Sequence, residues 1–314
     1  MPAPTPIAAY TVSPEGTAQA ITEVTPKGGW RWQHFDLADP DLPDWLLTQV
    51  DPLVAKALLA AETRPRVDRI GEGLIVTLRG VNLNTGAEPE DMVSLRLWVT
   101  KEQIISVRKR RLMALDALRA DAERGIAPTT TGAFLAALNE GLAYRIEAVS
   151  LEFEDKVDLL EERSLMSDHS MSRECLEVRQ VLIKLRRFIG PQRDALEALA
   201  ADVTVIPASQ SDHIREIANR TARTVEALDA SRERLAAIQE HLDAQMAMKL
   251  GRNGYVLSVM AAIFLPLGFL TGLFGVNVAG MPGTEAVWAF TLLTLLSVVI
   301  GAALYLAFRW RGWL

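Results

Sequence analysis

The stretch GLFGVNVAGMPG (272–283) is rich in glycine and free of charge, and it lies between two long apolar runs. Outward from it, residues 253–284 carry no charge, Glu285 follows, and 286–308 is again uncharged. The run 255–274 holds 20 residues, and a helix of that length is about 30 Å long, the thickness of a bilayer's hydrocarbon core. The run 286–308 also qualifies. The competing reading is a buried hairpin in a soluble protein, but charges lie only outside the two runs. The chain therefore reads as two C-terminal membrane spans, 255–274 and 286–308, joined by a short outer loop, 275–285.

The flanks set the orientation. Lys249 and Arg252 precede the first span, Arg309 and Arg311 follow the second, and the loop between holds no Lys or Arg. The positive-inside rule then predicts both termini in the cytoplasm, including the tail 309–314. Trp288, Trp310 and Trp313 fit interfacial anchoring.

The remaining chain of this 314-residue protein is charged and mixed. The net charge of −6 gives no general basic signature for nucleic acid. The single cysteine, Cys175, excludes an intrachain disulfide framework and fits a reducing compartment. Residues 1–27 are rich in Pro, Ala and Thr and read as a flexible start, with neither the basic nor the apolar segment of a secretory signal. Strands are expected over 28–37, 73–83, 93–99 and 103–108, and helices over 41–50 and 51–62, with Asp51 as N-cap and Pro52 at the first helical position. A cytoplasmic α/β domain with a long helix thus covers 28–165, and a helical hairpin segment covers 166–208. Pro207 stops one helix, and Ser209 with Asp212 matches a capping box opening the next. The stalk 209–254 carries no helix breaker before Gly251, so one helix can run on through the first span, about 100 Å in all.

The stalk has two stripes. Leu228, Leu235 and Leu242 repeat every seven residues, and Glu226, Asp229, Glu233, Glu240 and Asp243 lie on nearly the opposite face. The acidic stripe is either a solvated face or an acidic wall about a central axis. Two spans cannot enclose a hydrated path, so a pore requires a ring of subunits. The first span, with Gly268 and Gly272 in GxxxG spacing and Ala261, Ala262 and Pro266, suits the lining, although small residues also serve close helix packing. The second span, rich in Leu and Val, suits the lipid face. Gly275 fits the left-handed position just past the first helix.

The segment 256–283 resembles the pore helix and signature loop of the CorA metal-ion transporter superfamily. Gly275-Val276-Asn277 is similar to the signature of its ZntB-type zinc-transporter branch, as are ETRPRVDRIGEGLIVTLR (62–79) and GPQRDAL (190–196). Ala279 departs from the Gly-Gly pair usual in that branch. The resemblance covers the chain after about residue 28. It implies an α+β cytoplasmic domain, a stalk helix and two transmembrane helices in a CorA-like homopentameric funnel of the bacterial inner membrane. It further implies Gly275, Val276 and Asn277 as the filter, and Leu273, Gly268, Leu265, Ala261, Leu257 and Gly254 along the axis. Glu240 and Asp243 would stand near the inner mouth, with Glu233, Asp229 and Glu226 in the vestibule.

Five copies of Asn277 would offer amide and backbone oxygens to a cation through its water shell. Cys175, His34, His169, His213 and His241 all precede the first span, so the pore has no soft ligand with which to chelate zinc. Passage of a largely hydrated divalent ion is therefore expected, with weak intrinsic selectivity. A ring of Glu285 would concentrate cations at the outer mouth; its alternative is to favour the start of the second helix. No enzyme motif is present, no cofactor is expected, and RKRR (108–111) reads as a solvated turn. The leading function is transport of divalent metal, zinc by the branch resemblance, with a proton gradient as a coupling option. Magnesium or broad divalent transport comes second, and a non-conducting membrane-tethered sensor or scaffold is a distant third. The expected partners are further copies of the chain, the bilayer and the ion, not nucleic acid.

Overall fold

The computed structural model describes residues 3–21, 27–166, 171–275, 283 and 285–312. Two compact units divide the chain, Met1–Gln239 and Glu240–Leu314.

In the first unit, β1 (Ala8–Val12), β2 (Ala18–Ala20), β3 (Trp30–Asp36), β4 (Arg66–Ile70), β5 (Gly73–Gly80), β6 (Val93–Val99) and β7 (Gln103–Arg108) form one sheet. Its order is β2-β1-β3-β7-β6-β5-β4. β3 and β7 run parallel, and the other neighbours are antiparallel. The helices are α1 (Leu42–Gln49), α2 (Pro52–Leu58), α3 (Met113–Glu123), α4 (Thr131–Leu165), α5 (Ser172–Ala200), α6 (Ala208–Gly275) and α7 (Ala289–Trp310).

Strand alternation sorts the core onto two faces. From β6, Val93, Leu95, Leu97 and Val99 join Phe134 and Leu138 of α4 and Leu196 of α5. Trp98, pointing the other way, joins Leu42 and Leu46 of α1 and Val54 and Leu58 of α2. On that second face the registers Thr77↔Arg96 and Arg79↔Ser94 continue the rows. The apolar cover of α1 and α2 therefore gives way to a polar, cationic end.

The Asp51 cap is realised: its carboxylate accepts the Leu53 N–H at 2.7 Å, with Pro52 beginning α2. Three expectations are corrected. Residues 8–20 are not a flexible start, because β1 pairs with β3 along its whole length and buries Ala8 and Val12. Ser209 and Asp212 do not form a capping box: α6 already begins at Ala208, and Asp212 pairs with Arg215 at 2.7 Å. Gly275 is not past the first span's helix but lies within it.

The stalk part of α6 within the first unit packs against α4 and α5. Leu228 and Leu235 are wholly buried in a single chain. Arg220 bonds Glu140 at 2.7 Å, and Arg234 pairs with Asp158 at 2.6 Å. The leucine repeat is thus used inside the monomer and does not offer an apolar seam to another subunit.

Candidate functional site

The second unit contains the membrane-length part of α6 and the whole of α7, both apolar enough to cross a bilayer. The two helices pack antiparallel. Gly301 of α7 faces Leu267 of α6, Phe308 shares a crevice with Ser258, Val259 and Ala262, and Phe274 shares one with Trp288 and Leu292. Val259, Ala262, Ile263, Pro266, Leu267 and Leu270 are the α6 residues shielded in this pair.

The expected lining residues are not among them. Gly254, Leu257, Ala261, Leu265 and Gly268 all lie on the exposed face of α6, with Leu257 70% and Leu265 74% exposed against 8% for Val259. Their spacing of 3, 4, 4 and 3 holds them within about 80° of arc at 100° per residue. By the same rotation Leu273 falls about 140° from Gly268, while Gly272 stays on the row. Gly272 therefore continues this exposed stripe, although in the sequence it reads equally well as the second glycine of a packing motif. A side-chain carbon added at Gly254, Gly268 or Gly272 would meet nothing within 4 Å. These small residues do not serve packing within the chain.

The outer face of α7 differs in character. Leu292, Leu295, Val298 and Val299 are all exposed there, a bulky apolar surface suited to lipid. At the outer loop, Val276, Asn277 and Ala279 lie outside the described residues. Glu285 is exposed and stands before the first turn of α7, so it does not cap that helix.

The stalk carboxylates separate into two kinds. Glu226, Glu233, Glu240 and Asp243 are exposed. Asp229 is instead held by Arg186 of α5, whose Nε lies 2.9 and 3.1 Å from its two oxygens, and by Arg232 at 3.1 Å. Its charge is neutralised within the monomer. Among the described residues of one chain, no three His, Cys, Asp or Glu side chains converge on a metal-binding point. Cys175 is fully buried.

The stretches 62–79 and 190–196, far apart in sequence, meet in the first unit. Gln192 of the 190–196 stretch, 2% exposed, accepts the backbone N–H of Arg79 at 2.7 Å.

Comparison with known proteins gives one consistent answer. The family of CorA-like Mg2+ transporter proteins matches residues 27–309. The zinc transport protein ZntB of Pectobacterium carotovorum is 36% identical over 274 residues, 86% of this chain and 83% of that protein. The divalent cation transporter CmaX of Pseudomonas aeruginosa is 35% identical over 290 residues, 90% of this chain and 87% of that protein. A solved structure of full-length CmaX superposes with a TM-score of 0.82 at 33% identity, covering 97% of both chains.

Proposed function

The chain belongs to the family of CorA-like Mg2+ transporter proteins, and from that membership we propose that it carries divalent metal cations, zinc foremost, across the bacterial inner membrane. Copies form a homopentamer with both termini in the cytoplasm, and α6 of each subunit faces the axis. Gly275, Val276 and Asn277 form the outer filter, with Glu285 around the mouth. Gly254, Leu257, Ala261, Leu265, Gly268 and Gly272 line the path below, Leu273 standing off that row. Glu240 and Asp243, with Glu226 and Glu233 further along the stalk, form its inner vestibule.

The observation that carries this reading is the bare face of α6. A stripe of Gly, Ala and Leu is left uncovered by α7, while bulky side chains cover the outer face of α7. Small residues on a face without an intrachain partner suit a tight ring of identical helices. The span holds no charged, Cys or His side chain, so the ion keeps most of its water and is recognised by oxygens at the mouth. Any proton coupling must act at the mouths or at the stalk carboxylates. An inside-negative potential of 100 mV favours entry of a divalent cation by about 4.6 kcal/mol.

The test is metal entry into proteoliposomes of the purified full-length protein, followed with an entrapped indicator. Zinc should enter faster than magnesium. Equal rates would make the protein a broad divalent carrier, and no flux of any divalent cation at any pH gradient would overturn the transport reading.

A further inference from the structure

The polar end of the α1/α2 face opens into a cleft of about 540 Å³ in the first unit. Its walls carry Arg64, Arg79, Arg96, Lys109, Arg110 and Arg187, drawn from the chain before β4, from β5 and β6, from the turn after β7, and from α5. Only two carboxylates, Glu62 and Asp91, line the same space, and Asp91 already pairs with Lys184 at 3.4 Å. In a protein of net charge −6, this is a local reversal of sign.

The floor is built rather than incidental. Arg96 is 1% exposed. Its Nη2 donates to the Ala60 carbonyl at 2.6 Å, while its Nε and Nη1 are buried without a hydrogen-bond partner. Arg79 donates from Nη1 to Met92 O at 2.8 Å and from Nη2 to Thr63 O at 2.7 Å, and its guanidinium lies 4.1 Å over the Phe188 ring. Its Nε also has no partner. Neither guanidinium has a carboxylate within ion-pair reach among the described residues. Strand register makes them neighbours on one sheet face, since Thr77 pairs with Arg96 and Arg79 with Ser94. Burial, and then the charge of Arg187, lowers the pKa of Arg79; burial, and then Arg79, lowers that of Arg96.

A buried guanidinium with donors to spare is costly unless an acceptor arrives. Two fixed guanidiniums under a rim of four exposed cations match the dispersed negative charge of phosphate oxygens, which arginine meets in pairs of parallel hydrogen bonds. The volume lies within the range of small-molecule sites and exceeds what a single monatomic ion fills. We propose that this cleft is a binding site for a small soluble polyphosphate anion, of the size of pyrophosphate or a nucleoside triphosphate. Arg79 and Arg96 hold the anion at the floor, and Arg64, Arg110 and Arg187 close on it at the rim. The site is independent of the ion path proposed above.

The test uses the full-length protein in detergent, in a metal-free, phosphate-free buffer, titrated calorimetrically with pyrophosphate, ATP, orthophosphate and adenosine. Pyrophosphate and ATP should saturate one site per chain, orthophosphate should bind more weakly, and adenosine should not bind. Arg64→Glu and Arg110→Glu change exposed rim residues that the fold does not need, and each should weaken ATP binding by at least about tenfold. Arg173→Glu, an equal charge change at an exposed position on α5 outside the cleft, should leave the affinity within about twofold. Arg96→Met should abolish binding where it folds, and the rim variants decide the matter where it does not. Absence of saturable binding by any phosphate, equal losses in Arg173→Glu, or adenosine binding as tightly as ATP would each overturn the proposal.

Discussion

Gly301 of α7 packs against Leu267 of α6: a side-chain carbon built on Gly301 would lie 3.8 Å from Leu267 Cδ1. The contact fixes which side of α6 is taken, and it leaves Leu265, two residues away and about 200° round the helix, on the free side. Leu265 and Leu295 of α7 are similarly exposed in one chain, at 74% and 62%, yet they should respond differently to charge. If the bare face of α6 lines the path, Leu265→Asp places a carboxylate where water reaches it, so the protein should insert and its conductance or leak should change by more than about tenfold. On that account Leu295→Asp would face lipid, cost about 2.5–3.5 kcal/mol, and lower insertion instead. Expression level and flux, measured together for both variants, separate the two outcomes, and equal insertion defects would place Leu265 in lipid.

If the proposed filter holds, Asn277→Ala should lower zinc uptake by at least about tenfold, equivalent to 1.4 kcal/mol of barrier, because it would remove amide oxygens from the outer mouth. Gly275→Ala should impair uptake in the same direction by stiffening the end of α6. Assembly of both variants, read by size-exclusion light scattering, should match the parent protein. Parent-like flux in both would remove the filter role.

The stalk carboxylates make a paired prediction. Asp229 is held by Arg186 and Arg232, and Asp229→Asn should cost about 0.5–1 kcal/mol of stability at this half-exposed site without changing the metal dependence of transport. Glu240→Gln with Asp243→Asn should do the reverse, shifting the zinc or pH dependence of uptake while the melting temperature holds. Uptake like the parent's at every zinc concentration and pH would mean that the exposed stalk face is merely solvated.

How much of this was legible in the sequence depends on where the signal sits. Strands β5 to β7 were readable because their apolar alternation is strong, and α2 because Asp51-Pro52 marks its start. β4, RVDRI, is a charged edge strand with most of its length exposed, and charge on an edge strand blurs its pattern. β1 and β2 are short segments in Pro/Ala-rich surroundings, and their place comes from pairing, β1 with β3 and β2 with β1, which no local pattern reveals. The α6 stripe could be drawn from helical spacing alone. Which of its faces meets α7 could not, because both faces are apolar. The acidic stripe reads as uniform in sequence because Arg186, which holds Asp229, lies on another helix. RKRR divides in the fold: Arg108 and Arg111 both pair with Asp116, while Lys109 and Arg110 turn into the cationic cleft. That cleft joins residues from 64 to 187, a convergence visible only after folding.

His34 supplies a pH prediction. It is 1% exposed, its Nδ1 lies 2.9 Å from Ser106 Oγ, and its Nε2 is buried without a partner. Burial first, then the nearby charge of Arg108, lowers its pKa to about 3 from 6.5. The unfolded chain therefore takes up a proton below pH 6.5 that the folded chain refuses until about pH 3. Above pH 6.5 the residue contributes no pH dependence; below it, stability falls by up to about 1.4 kcal/mol per pH unit, some 2 kcal/mol by pH 5. The melting temperature of the full chain in detergent should fall more steeply from pH 7 to pH 5 than that of His34→Gln. Parallel slopes would show that His34 protonates in the folded state.

The most direct test of the ion path is thiol block of metal flux. The only cysteine, Cys175, is fully buried, so a Cys175→Ser background leaves a chain in which single cysteines can be placed at Leu257, Ala261 and Leu265 on α6 and at Leu295 and Val298 on α7. Zinc flux into proteoliposomes is then followed before and after a charged, water-soluble methanethiosulfonate reagent. If the bare face of α6 lines the path, the reagent stops flux at the three α6 positions and leaves it unchanged at the two α7 positions. Continued flux with the α6 cysteines, or block at the α7 cysteines alone, would contradict a pore lined by α6.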